Sequence, residues 1–425
     1  MFKGFKVFKG FKVFNVLLLM VTFAQAQTAN EYFQQANEAY EKKDYAANVR
    51  LLEKSIEAGA DHPRVFYFLA RGYALTGNQD ASILWLNKIA ELGVFLQPEQ
   101  DPEFASIHKS PKFEVVVKRF QENVKPTDIS KTAITIEDKN LVPEGIAYDP
   151  LDQKFYFGGA ARPEIVVYKE GKFEKFSNPE DGLWSVLGMK VDPRTRTLWA
   201  ASSALAGEEK GKSGIFQYDL KQRKLTAKYL LPEGNHGLGE VVVDSKGNVY
   251  ATDSATPAIY FLNKGKLELF LGPEPFRSPQ GACLSPDEKI LFVADYSRGI
   301  FAVDLATKKH WKLNRAEKTT TVAGIDGLYL HKKSLVAIQN GVQPNRVLRI
   351  EISADNTKIE RVDILESNHG IFPEPTLGVV VDNDFYYVGN SMIGPYLENP
   401  KVELKPAIIL KLPLSSREQA SRLVD

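Results

Sequence analysis

The stretch SPQGACLSPDEKILFVADYSRGIFAVDL (278–305) holds three strand-type runs, PQGACLS, ILFVAD and GIFAVD, separated by Pro, Asp, Ser, Arg and Gly. Its opening follows a template: an apolar–Gly–apolar core, then Asp or Ser, often followed by Pro. The template recurs as PEGIAYDP (143–150), VLGMKVDP (186–193), LGEVVVDS (238–245), PQGACLSP (279–286), IDGLYLHK (325–332) and TLGVVVDN (376–383), at steps of 43, 52, 41, 46 and 51 residues. A second strand follows each one: KFYFGGA, TLWAASS, NVYATDS, ILFVADY, SLVAIQN and DFYYVGN. A third follows those: EIVVYK, GIFQYDL, AIYFLN, GIFAVDL, RVLRIEIS and AIILKLPL.

Fourth strands follow in the first five units, from KFEKFSN to KIERVDIL, but after Leu414 only a polar tail remains. TAITIED (132–138) precedes the first unit and can fill the gap. Six four-stranded units closed by pairing the two ends make a six-bladed β-propeller over 132–414. The fold class is therefore mainly β.

Working towards the N-terminus, residues 31–64 and 65–98 align at a period of 34. Ala36 matches Ala70, Ala47 matches Ala81 and Leu52 matches Leu86, while Asp44 answers Asn78 at the turn between two helices. Small residues at helix crossings with this period resemble the tetratricopeptide repeat. The all-α, tetratricopeptide-like domain spans 27–122, with FASIHKSPKFEVVVKRF (104–120) as its closing helix and 123–131 as a linker. It is read either as a partner-binding groove or as a spacer.

Residues 1–26 read as an export signal. Lys3, Lys6, Lys9 and Lys12 precede the apolar run Val16–Ala24, and Ala24-Gln25-Ala26 makes a small-x-small cleavage pattern. The run is too short to span a bilayer, which takes roughly 20 residues. The expected location is periplasmic or secreted, with no membrane role after cleavage. Residues 415–425 form a tail.

The chain has 425 residues, 44% hydrophobic and 25% charged, which excludes disorder, collagen and a polytopic membrane protein. Its one cysteine, Cys283, excludes an internal disulfide and a cysteine-rich zinc site. Setting the four leader lysines aside leaves 50 bases against 53 acids, a net of −3, so nucleic acid is not an expected partner. Gly211-Lys212-Ser213 fits a relaxed phosphate-loop pattern, but the strand GIFQYDL follows where that loop needs a helix.

In a propeller the first strand of each blade lines the channel. The residues opening those strands form a ring at one mouth: Glu144, Leu187, Gly239, Gln280, Asp326 and Leu377. Carboxylates crowded there are costly unless paired or metal-bound, and oxygen ligands suit a hard cation such as calcium. Second-strand ends Asp253, Asp295, Asn340 and Asn390 are candidate ligands or supports. His236, just before the third inner strand, is a candidate general base, with His369 holding a similar place before the sixth.

PEGIAYDP, SPQGACLSPDEKILFVADYSRGIFAVDL and IDGLYL make residues 130–414 resemble the regucalcin/gluconolactonase family and, more distantly, the paraoxonases. The resemblance implies a divalent metal, calcium first, at the channel mouth, and hydrolysis of small-molecule lactones or esters. The family's metal glutamate falls on Glu144, and its metal aspartate, also the proposed base, on Asp326. Its two asparagines fall on Gln280 and on Gly239, which has no side chain; Glu240 beside it is the candidate replacement. The expected catalytic set is Asp326, Glu144 and His236; the metal set is Glu144, Gln280, Asp326 and Glu240. The competing expectation is a non-catalytic propeller that binds a ligand or protein at the same mouth, with a protein partner on the helical repeats.

Overall fold

A computed structural model describes residues 28–315 and 319–414. The expected export segment and C-terminal tail lie outside the described residues. The six repeats form six antiparallel sheets, blades I–VI, each with its template strand innermost. The inner strands are Pro143–Asp149, Ser185–Asp192, Leu238–Val243, Pro279–Leu284, Ile325–His331 and Gly378–Val381. Each touches the inner strands of both neighbouring blades, and the sixth returns to the first, so the ring is closed. Lys131–Ile136 pairs antiparallel with Ala407–Pro413 and supplies the outer strand of blade VI. This pairing covers the edge of Ala407–Pro413 and ties the two ends of the propeller together.

Two features depart from the expected four-strand count. The outer strand of blade IV shrinks to His310–Lys312, and the chain crosses to blade V, where Asn314–Arg315 pairs parallel with Lys358–Ile359 as a fifth strand. In blade VI a short helix, Ile393–Glu398, interrupts the passage from second to third strand.

The inner strands are not regular. In blades I–V the register slips at Glu144, across Leu187 and Gly188, at Gly239, across Gln280 and Gly281, and across Asp326 and Gly327. A β-bulge bends its strand and re-aims the bulged side chain. The ring positions thus owe their common direction to a repeated bulge. The glycines beside them allow close approach: a Cβ at Gly145 would fall 1.9 Å from the Leu187 carbonyl oxygen of the next blade.

Four 13-residue helices precede the propeller: α1 (Ala29–Glu41), α2 (Tyr45–Glu57), α3 (Pro63–Leu75) and α4 (Gln79–Glu91). Asp44 and Asn78 cap α2 and α4 by accepting from the amides of Ala47 and Ala81. The closing helix α5 (Pro111–Asn123) starts later than the expected 104, because Pro102–Phe104 forms a tight turn and Pro111 suits a first helical position.

The helices pack against blade V and reach the outer strand of blade IV. Val342 joins the apolar cluster of Leu86, Phe104 and Val116, and the Phe95 amide donates to the Gln343 carbonyl at 2.6 Å. The buried Arg346 reaches the carbonyls of Leu92 and Gly93, and Lys312 pairs with Asp61 at 2.8 Å. The expected linker is tied down: Thr127 bridges to Ser367, and the buried Glu366 accepts the amides of Ile129 and Ser130.

Candidate active site at the channel mouth

Glu144 and Asp326 stand at the bulges of blades I and V. Glu144 is buried; its Oε2 accepts the Ser391 hydroxyl at 2.7 Å. Asp326 is partly exposed. Its Oδ2 accepts Asn340 Nδ2 at 2.8 Å, and Asn340 Oδ1 in turn accepts the Tyr296 hydroxyl at 3.0 Å. A cavity of about 400 Å³ bordered by Tyr296, Asn340, Glu374 and Asn390 adjoins Asp326 through Asn340. The Gly394 amide donates to both oxygens of Glu374, at 2.9 and 3.1 Å.

The electrostatics of this mouth are unfavourable as the side chains stand. Burial, then the charge of Asp326, pushes Glu144 well above the usual carboxylate range. Burial raises Asp326, against the lowering effect of Asn340. Glu374 is also raised, by burial and then by Asp326. Among the described residues neither Glu144 nor Asp326 forms an ion pair. Among the described residues no hydrogen bond reaches Asp326 Oδ1 or Gln280 Oε1, and beyond Ser391 only the neighbouring Thr376 hydroxyl acts to lower Glu144. Oxygen atoms so placed, around two uncompensated carboxylates, fit a hard cation.

The structure distributes the other expected residues unevenly. Gln280 lies by the mouth, its amide nitrogen donating to the Ser278 hydroxyl at 3.0 Å. A side chain at Gly239 would point at Gln280 Oε1, 3.6 Å from its Cβ. Glu240 occupies the slot that glycine fills in the other blades, and its Oε1 turns back towards Gly188 and accepts the Val241 amide. It lines the opposite half of the channel, a cavity of about 530 Å³ shared with Lys190, Cys283 and Tyr329. Burial pushes Glu240 up to about 8.

His236 is engaged elsewhere. Its Nδ1 lies 2.7 Å from Asp253 Oδ2, and no hydrogen bond joins it to Glu144 or Asp326. Asp253 and Asp295 close turns by accepting backbone amides, and Asn390 bonds Pro406 and Ile408. His369 accepts the Ile371 amide at Nδ1 and faces Asp128 at 2.7 Å through Nε2. Asp128, Glu366 and His369 are the one group of three such ligand types within 4.8 Å among the described residues, and their atoms already tie the linker to blade V.

Sequence reasoning missed Glu374, Ser391 and Tyr296. A signal for Glu374 exists: Pro373-Glu374 repeats the Pro143-Glu144 pair, displaced three residues ahead of the sixth template.

Fold and mouth together define the class: a six-bladed β-propeller with an N-terminal helical domain and a two-carboxylate channel mouth. No protein-family model and no curated protein matches the chain. Among solved structures, it resembles a protein from a Thermus species described as a putative oxidoreductase of the glucose dehydrogenase type, at 14% identity and TM-score 0.47, covering 67% of this chain and 99% of that one. It also resembles a luciferin-regenerating enzyme, at 16% identity and TM-score 0.45, covering 68% and 95%. A third is virginiamycin B lyase from Staphylococcus aureus, at 13% identity and TM-score 0.43, covering 67% and 99%.

Proposed function

We propose that this protein is an exported, divalent-cation-dependent hydrolase of lactones or esters, acting at the propeller mouth, with calcium as the first cation to test. The pair Glu144–Asp326 supports the reading: two carboxylates without an ion pair, Glu144 served by the Ser391 and Thr376 hydroxyls and Asp326 by Asn340 alone. Glu144, Asp326 and Gln280 would hold the cation. When bound, it supplies Lewis acidity towards a substrate carbonyl. Asn340 fixes Asp326 Oδ2, leaving Oδ1 turned to the cation and the attacking water, whose proton Asp326 would accept. Tyr296 orients Asn340 through its hydroxyl and borders the cavity where substrate sits. Four lysines ahead of an apolar run ending in Ala24-Gln25-Ala26 support export to the periplasm or outside.

Gly239 favours a second reading, because it offers no fourth side chain to the ring. That reading is a non-catalytic propeller binding a ligand at the same mouth, with a protein partner on the helical repeats.

The test is a calorimetric calcium titration of the full chain beside Asp326→Ala, followed by proton-release assays on a lactone panel. Tight binding lost in the variant, with cation-dependent release, is the expected result. A folded propeller that binds no cation sinks the hydrolase and leaves the second reading.

A further inference from the structure

The cleft above Asn340 does not end on the propeller. A second cavity, of about 240 Å³, opens where the helices meet blade V, walled by Tyr67, Phe95 and Leu96 from the helical side and Val342 from the propeller. Asn340 and Gln343 border both cavities. Asn340 also holds Asp326, so the apolar wall starts one residue from the carboxylates. The wall is anchored: Val342 packs into the helical core, and the Phe95 amide bonds the Gln343 carbonyl. The two cavities adjoin at Asn340 and Gln343, the first polar towards the channel and the second mainly apolar towards the helices, where both parts of the chain build it.

We infer that this cleft receives a carbonyl compound with an apolar arm, an alkyl or aryl lactone or ester, whose head lies at Asp326 and whose arm lies on Phe95, Leu96 and Val342. The helical domain is then the specificity wall of the site. The head group rests on the hydrolase reading above; the arm rests on the second cavity. Each methylene moved from water onto such a wall multiplies affinity by about four.

The experiment uses δ-lactams carrying a methyl or a heptyl chain, which keep ring and carbonyl but resist hydrolysis. They are titrated calorimetrically into the full chain with calcium present. The heptyl compound is expected to bind at least about tenfold tighter than the methyl one. Leu96→Trp, which fills the cavity, removes that difference while leaving the methyl compound's affinity in place. Leu96→Asn, which keeps the space but wets it, reduces the same difference. Equal affinities in the parent protein, a preference that survives both variants, or no binding of either lactam overturns the apolar arm. Turnover of the matching lactones is followed separately by proton release. Chain preference without turnover sinks the hydrolase and leaves the arm site; turnover without chain preference sinks the arm site alone.

Discussion

Among the carboxylates near the start of inner strands, two pairs contrast. Asp295 accepts five donors: the amides of Arg277, Ser278, Ser297 and Arg298, and the Ser297 hydroxyl. Asp253 accepts the amides of Gly237, Ala255 and Thr256 and faces His236. Glu144 has the Ser391 and Thr376 hydroxyls and Asp326 has Asn340, with no backbone amide on either. Asp253, Asp295 and Glu144 are all buried and Asp326 is partly exposed, but the larger difference is in satisfaction. A buried carboxylate saturated by amides serves the fold, whereas one left short of donors stores a demand for a proton or a cation. That contrast separates structural from candidate functional acids, which burial alone does not do.

The largest effect that would test the contrast belongs to a saturated acid. Asp295→Ala leaves the amides of Arg277, Ser278 and Ser297 without their acceptor at the entry to blade IV, while Arg298 keeps the Asp295 carbonyl, and is expected to cost about 4 kcal/mol. Chemical denaturation measures it. A loss below about 1 kcal/mol would break the division between the pairs.

Glu240 grades the comparison, since one backbone amide reaches it and burial holds its pKa up at about 8. The folded protein therefore keeps a proton that the unfolded chain releases near 4.5. Stability falls as pH rises from about 4.5 to about 8, then levels off. Glu240→Gln removes that slope. It should match the parent near pH 4.5 and exceed it at pH 8 by on the order of 3 kcal/mol. Parallel pH profiles of melting temperature for the two proteins would refute this.

Asp326→Asn separates demand from support. It keeps the shape and removes the charge, so calcium affinity should drop about a hundredfold, or about 2.7 kcal/mol, while unfolding stability without cation stays level or rises. Calorimetry and denaturation of the same samples read the two quantities. A fold weakened as much as by Asp295→Ala would place Asp326 with the structural acids.

How far the chain could be read follows from the same physics. The blades were legible because each strand alternates and each turn carries Gly, Pro, Asp or Ser, a local pattern repeated six times. The ring positions followed from that repeat. Satisfaction was not legible, because the donors to Asp295 and Asp253 come from turns whose shape no periodicity shows. Nor was the reach of Ser391 to Glu144, 247 residues away in the chain. The fifth strand of blade V and the docking of Val342 into the helical core likewise depend on contacts between distant segments. Glu374 escaped for another reason: it lies outside the template, although the Pro-Glu pair repeats.

The smallest and most pointed change is Gly239→Asn. Most ring-adjacent glycines admit no side chain; a Cβ at Gly145 or Gly188 would meet backbone at 1.9 or 2.5 Å. Gly239 differs, since its Cβ would meet only Gln280 Oε1, at the ordinary contact distance of 3.6 Å. An asparagine there adds a neutral oxygen on the side of the ring that lacks one, without adding to the repulsion between Glu144 and Asp326. Calcium affinity is expected to rise about tenfold, or about 1.4 kcal/mol, with little change in stability. If the parent binds no calcium and the variant does, the missing fourth ligand is what silences the mouth, and the non-catalytic reading gains. If neither binds, the unsatisfied pair takes up a proton rather than a cation.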